Sequence, residues 1–246
     1  MPTHDDANKL YKQALEAARR GDHFKAKELF EDALELYREV PGAEKDQAHC
    51  LFNLATTLSK LSQLAQAEPY YHQALILYQD IPNTEEHQAT CLHLLATTLF
   101  LLGQLADAEP YYRQALTLYQ DIPNTEENQA FCLYNLATSL ATRGKLADAE
   151  PYYRQALTLY QDIPNTEENQ ANCLHLLAHT LRMLGKLAQA EPYYRQALTL
   201  YQTIPNTEEN QADCLHNLAN TLRELGKPAD AEPHYRQALT LYQGIP

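Results

Sequence analysis

The chain has 246 residues, 45% of them hydrophobic, and a formal net charge of −13 from 19 basic and 32 acidic side chains. That apolar content excludes a disordered chain, and no stretch approaches the roughly 18 apolar residues of a membrane span. The acidic balance argues against a sequence-independent grip on nucleic-acid phosphates. Met1-Pro-Thr-His-Asp-Asp lacks the basic-then-apolar layout of a signal peptide, so a soluble, cytoplasmic protein is expected.

Ile-Pro recurs at Ile81, Ile122, Ile163, Ile204 and Ile245, a fixed period of 41 residues (81 to 122, 122 to 163), and the register extends back to Val40-Pro41. Leu105 to Ala130 recurs unchanged at Leu146 to Ala171. Six copies result, at about 7–40, 48–81, 89–122, 130–163, 171–204 and 212–245, expected as one array over 1–246. Copies this alike bury their cores against their neighbours and expose a long surface, which favours binding over chemistry.

Taken in order, the first copy departs most, with Gly21-Asp-His-Phe-Lys-Ala26 and Phe30, as suits a terminal unit with one neighbour. In the second, Ser62 stands where Gly21, Gly103, Gly144, Gly185 and Gly226 hold the helix-to-helix turn. The fifth copy shows the unit plainly. Leu174, Leu177, Ala178, Leu181 and Leu184, at spacings of three and four, predict a first helix. Asn165 or Thr166 can cap it, and Glu167 and Glu168 suit its positive end. Gly185 then permits the conformation that ends a helix. A second stripe, Leu187, Ala190, Tyr194, Ala197, Leu198 and Tyr201, stops at Ile204-Pro205. Pro192 is tolerated only near a helix start, which places the second helix start at Leu187 or Ala188. Each unit is therefore a helical hairpin, giving an all-α fold of about twelve antiparallel helices. The sixth copy ends at Gly244-Ile245-Pro246, leaving Tyr235, Leu239 and Tyr242 facing water. Either the chain pairs through this edge, as in a homodimer, or a longer natural protein has been cut here.

Cys50, Cys91, Cys132, Cys173 and Cys214 share one column of the repeat. Neighbouring stacked helices lie about 8–10 Å apart, beyond the roughly 7 Å a disulfide spans, and no CxxC pair suggests zinc. These are expected to be small buried residues in a reducing compartment.

The order Leu174, Leu177-Ala178, Leu181, Gly185, Ala190, Tyr194, Ala197, Pro205 resembles the tetratricopeptide repeat. The longer period, with Ala-Glu-Pro-Tyr-Tyr-Arg-Gln-Ala-Leu and Asn-Leu-Ala, is similar to the kinesin-light-chain type of that repeat. The likeness runs from about Ala7 to Ile245 and extends only to the repeat: no heptad segment for a kinesin heavy chain is present. It implies a right-handed superhelical solenoid whose first helices line a concave groove for an extended peptide or a partner's helix. Co-chaperones of the family clamp a carboxylate with a lysine in the column held here by Tyr11, Phe52, His93, Tyr134, His175 and His216, so binding of heat-shock chaperone tails is not expected.

Comparison of the copies points the same way. The stripes hardly vary, whereas the columns of His49, of Phe52, of Thr56, of Ser59 and of Lys60 do, and spacings of three and four put them on one face. Drift of a solvated face would give the same variability. The N-terminal part offers Phe52, Leu94, Phe100, Leu101, Phe131 and Tyr134; the C-terminal part offers His175, His179, Arg182, His216, Asn217, Asn220 and Arg223. This predicts aromatic anchoring at one end and cationic, hydrogen-bonding contacts at the other, for a peptide with bulky apolar residues followed by carboxylates. His93 shares the column of Phe52, and Asn53, Asn135 and Asn217 could bond a peptide backbone, with Leu94 and Leu176 interrupting them. His175, His179 and His216 could in principle approach a metal ion, but surface histidines on a polar groove are the commoner arrangement, and no metal or cofactor is expected. No nucleophile, zinc-protease or phosphate-loop motif is present, so no catalytic residue is assigned.

Overall fold

The computed structural model describes residues 3–245; Met1, Pro2 and Pro246 lie outside them. Among the described residues every regular element is an α-helix. They form two compact units, Met1–Pro123 and Asn124–Pro246. The first holds α1 (His4–Arg19), α2 (His23–Glu39), α3 (Glu44–Lys60), α4 (Leu64–Asp80), α5 (Glu85–Leu101) and α6 (Leu105–Asp121). The second holds α7 (Glu126–Thr142), α8 (Leu146–Asp162), α9 (Glu167–Met183), α10 (Leu187–Tyr201), α11 (Glu208–Glu224) and α12 (Pro228–Gly244). Each odd helix pairs with the next even one as a hairpin, and within a unit each even helix packs on the following odd one. None is long and apolar enough to cross a membrane.

The α9–α10 hairpin shows why. Leu174, Leu177, Ala178 and Leu181 are buried against Ala190, Tyr194, Ala197 and Tyr201, and the alanines let the two backbones approach. Each large side chain so buried stabilises the fold by about 1.5–3 kcal/mol. Leu184, Leu187 and Leu198 lie half-buried at the rim. At the turn, Gly185 has φ +74°; its amide donates to the Arg182 carbonyl (2.9 Å) and that of Lys186 to Leu181 (2.8 Å). These two bonds satisfy two of the orphan carbonyls of α9. Ser62 makes the same turn at φ +60°, where an L-residue is strained and glycine is not.

Two expectations need correcting. The helix α10 does begin at Leu187, but Pro192 is its sixth residue, past the amides that lack partners. The lost bond falls on the Ala188 carbonyl, and Ala188 and Pro192 are both exposed. Thr166 occupies the position preceding α9, yet its hydroxyl caps nothing there. It donates backward to the carbonyls of Tyr160 (2.6 Å) and Ile163 (2.8 Å), and Gln170 Nε2 joins it on Tyr160 (3.0 Å). The C-terminal carbonyls of one second helix are thus served by the start of the next first helix. Thr84 with Gln88, and Thr207 with Gln211, repeat the arrangement.

All five cysteines are free and buried. The Cys173 thiol donates to the Tyr153 carbonyl and that of Cys214 to Tyr194, each at 3.2 Å, bridging a first helix to the hairpin before it. Burial pushes the Cys173 thiol up to about 12.

Candidate functional site

The variable columns lie on the first helices of both units. In the first unit, Phe52 is half-buried, its ring edge-on to Tyr71 at 6.0 Å. Asn53 spends its amide on the Tyr11 hydroxyl (2.9 Å) and the His49 carbonyl (2.8 Å). His93 is only 5% exposed, its ring against Tyr112 at 5.8 Å. Burial brings its pKa down to about 4, so it is neutral at pH 7. His93 is therefore a core residue with no groove surface to offer. Phe100 is half-buried, and Leu101 is exposed.

In the second unit, Phe131 is exposed and Asn135 half-buried. The Tyr134 ring is edge-on to Tyr153 at 6.0 Å, and burial pushes its phenol up to about 12. His175 lies against Tyr194 (5.7 Å) and Tyr201 (6.3 Å), and its Nε2 meets the Asn217 amide at 3.2 Å. Burial brings the His175 pKa down to about 4. His179 is half-buried, its pKa lowered first by burial and then by Arg182. Arg182 donates to Glu224 Oε1 at 2.9 Å with its side chain 17% exposed, so this cation is already answered by the next first helix. His216 and Arg223 are exposed, and Arg223 has no ion-pair partner among the described residues. Asn220 accepts from the Tyr235 hydroxyl at 2.8 Å, which leaves its amide hydrogens available.

A tyrosine near the start of the second helix reaches the variable face in each of these hairpins. Tyr112 donates to Thr97 and Tyr153 to Thr138, both at 3.1 Å, and Tyr71 pairs with Thr56 at 3.2 Å. At α9 the threonine is replaced by His179, and the Tyr194 hydroxyl is left buried without a hydrogen-bond partner.

Sequence comparison overlooked a pocket. In the second unit a cavity of about 340 Å³ is lined by Ala141, Leu146, Leu176, His179 and Met183. The corresponding place in the first unit, lined by Ala18, His23, Asn53, Thr56 and Lys60, holds about 110 Å³. The larger apolar recess is thus in the unit expected to turn cationic. Its signal was available: Leu176 interrupts the asparagine column, and Met183, 54% exposed, follows seven residues on. Among the described residues no group of three or more His, Cys, Asp or Glu side chains is placed to share a metal ion. The His175 ring in particular is committed to Asn217 and two tyrosines.

The tetratricopeptide repeat family matches residues 17–80, 53–121, 129–203 and 169–244, with a second description of that repeat over 93–164. The chain belongs to the tetratricopeptide repeat family. Its fold is an all-α solenoid of six such repeats, three in each unit. Solved structures share it. BtubC (BKLC) of P. vanneervenii is 21% identical with a TM-score of 0.74, over 96% of this chain and 91% of that one. A putative kinesin light chain of Podosopora anserina, with nearly identical TPR-like repeats, is 16% identical with a TM-score of 0.65, over 79% and 94%. PilW, a widely conserved type IV pilus biogenesis factor, is 19% identical with a TM-score of 0.71, over 98% and 96%. At these identities the likeness is one of fold. No curated protein matches the sequence.

Proposed function

We propose that this chain is a non-catalytic protein-interaction scaffold that binds an extended peptide or a helix of a partner protein along the faces of its first helices. The observation that carries this reading is the recess beside Leu146, Leu176 and Met183, which exposes a methionine where a single-purpose solvated face would carry charge. An apolar side chain of the partner fills it, while His179, His216, Asn220 and Arg223 face the polar atoms alongside. The fold supports the scaffold role in general; neither a metal nor a cofactor enters it. Selection of a displayed random-peptide library on the wild-type chain tests it. Enriched peptides should carry a shared bulky apolar residue and should be lost on Met183→Glu. Absence of enrichment, or enrichment indifferent to that change, sinks the groove.

A second reading, self-association through α12, has its own observation. Leu239 is 57% exposed, whereas Leu157, at the corresponding place in α8, is 7% exposed. Light scattering at high micromolar concentration separates the two, since a strict monomer excludes pairing.

A further inference from the structure

Side chains of consecutive second helices meet at a place that the second unit fills and the first leaves open. Between α8 and α10, Glu150 accepts from Lys186 Nζ at 2.6 Å and from Arg154 at 2.9 Å. The Arg154 guanidinium stands 5.5 Å from the centre of the Tyr193 ring. It donates to the Tyr193 hydroxyl at 2.7 Å and to the Gln189 side-chain oxygen at 3.4 Å. One carboxylate, one tyrosine and one amide thus hold two cations. In the first unit the corresponding residues of α4 and α6, 82 positions earlier (150 to 68, 186 to 104), are Glu68, His72, Gln104, Asp107 and Tyr111. The carboxylate and the tyrosine stay, the lysine and the arginine are gone, and a second carboxylate replaces Gln189. A cavity of about 400 Å³ opens there, lined by these five residues together with Pro110.

What replaces the cations compensates little. His72 comes no nearer to Glu68 than 3.9 Å, beyond hydrogen-bonding distance, and Glu68 is left 30% exposed where Glu150 is 13%. The His72 ring lies edge-on against Tyr111 at 5.7 Å. Asp107 is exposed, and its carboxylate has no partner among the described residues. Glu68, His72 and Asp107 are not placed to share a metal ion, so the opening suits a larger cation. We propose that this cavity receives an arginine side chain of a partner protein, its guanidinium bonding Glu68 and Asp107 and packing on the Tyr111 ring. The planar fork of a guanidinium answers two carboxylates at once and stacks on an aromatic ring, which a compact ammonium does less well. Lys186 on Glu150 and Arg154 over Tyr193 show the same carboxylate and the same tyrosine of the repeat holding cations in this chain. The formal charge of −13 draws a basic partner toward the surface. The cavity lies on second helices, so the proposal does not rest on the groove of the first helices.

The test is a titration of the whole chain with N-acetyl-arginine amide at fixed ionic strength, followed by NMR through the ring signals of His72 and Tyr111. N-acetyl-citrulline amide, uncharged and of nearly the same shape, and N-acetyl-lysine amide are the comparison probes. Gln104→Lys and Asp107→Gln install the residues found at Lys186 and Gln189, which the fold already accepts at this place. The expected result is saturable binding of the arginine probe with a dissociation constant on the order of 10 mM, since both carboxylates are partly solvated. Binding should weaken at least about fivefold in each variant, where an internal ammonium answers Glu68 or one carboxylate is lost, and should be unchanged in Met183→Glu. No saturation by about 100 mM, equal binding of the citrulline or lysine probe, or full affinity in either variant overturns the proposal.

Discussion

Asn217 and His175 lie on successive first helices, and the asparagine amide meets the histidine Nε2 at 3.2 Å. Asn53 does the same toward the Tyr11 hydroxyl in the first unit. A column that looks like a clamp for peptide backbone is a rung between hairpins. Asn217→Ala should therefore lower stability by about 1 kcal/mol, read by urea unfolding. An unchanged midpoint would mean the amide was free.

That rung depends on protonation. The His175 pKa of about 4 is depressed from an ordinary 6.5, so as pH falls the unfolded chain takes up the proton first. Stability is full above about pH 6.5 and is lost between there and pH 4, by up to about 3 kcal/mol. His93, also near 4, contributes with the same sign. His175→Phe, using the residue found at Phe52, should shrink the difference in unfolding free energy between pH 7 and pH 4.5 by about 2 kcal/mol. An undiminished difference would place the acid sensitivity elsewhere.

The Arg182–Glu224 pair spans the same two helices. Since both side chains retain some exposure, its coupling should be modest. A double-mutant cycle with Arg182→Met and Glu224→Gln should give about 0.5–1 kcal/mol, falling as salt rises. Coupling indistinguishable from zero at low salt would show that Arg182 is free for a ligand after all.

The hairpins and their order are readable in the chain because period, stripe and turn residues agree at every copy. The site is less so. Spacings of three and four identify a face of a helix, but not how far the neighbouring second helix overlaps it. His93, Tyr134 and His175 fall under that overlap, against Tyr112, Tyr153 and Tyr194. Arg182 illustrates another limit: its partner Glu224 is 42 residues away, one period plus one, a relation that appears only when copies are stacked rather than aligned. Thr166 failed as a cap for a similar reason, since the carbonyls it serves belong to the preceding helix.

Ser62 offers a check on the turn chemistry. Ser62→Gly should raise stability by about 1 kcal/mol, because only the strained φ of +60° changes. The mirror change, Gly185→Ala, should cost about as much. A Ser62→Gly chain no more resistant to urea would mean the serine hydroxyl compensates.

The thiols give a readout of the whole array. All five are buried, and Cys50, Cys91, Cys173 and Cys214 are hydrogen-bonded to carbonyls with their pKa values raised by burial, so the thiols should ignore a thiol-specific disulfide reagent in the native chain. All five should react once urea is added. Fast reaction of any one under native conditions would reveal local opening at that hairpin.

The tyrosine hydroxyls that reach the variable columns carry an evolutionary consequence. Thr97, Thr138 and Asn220 each hold a tyrosine of their own hairpin, so a mutation that retunes recognition there also perturbs folding. New specificities should arise first at positions without such obligations, and His216, Arg223 and Met183 are the residues where this lineage is most free to experiment.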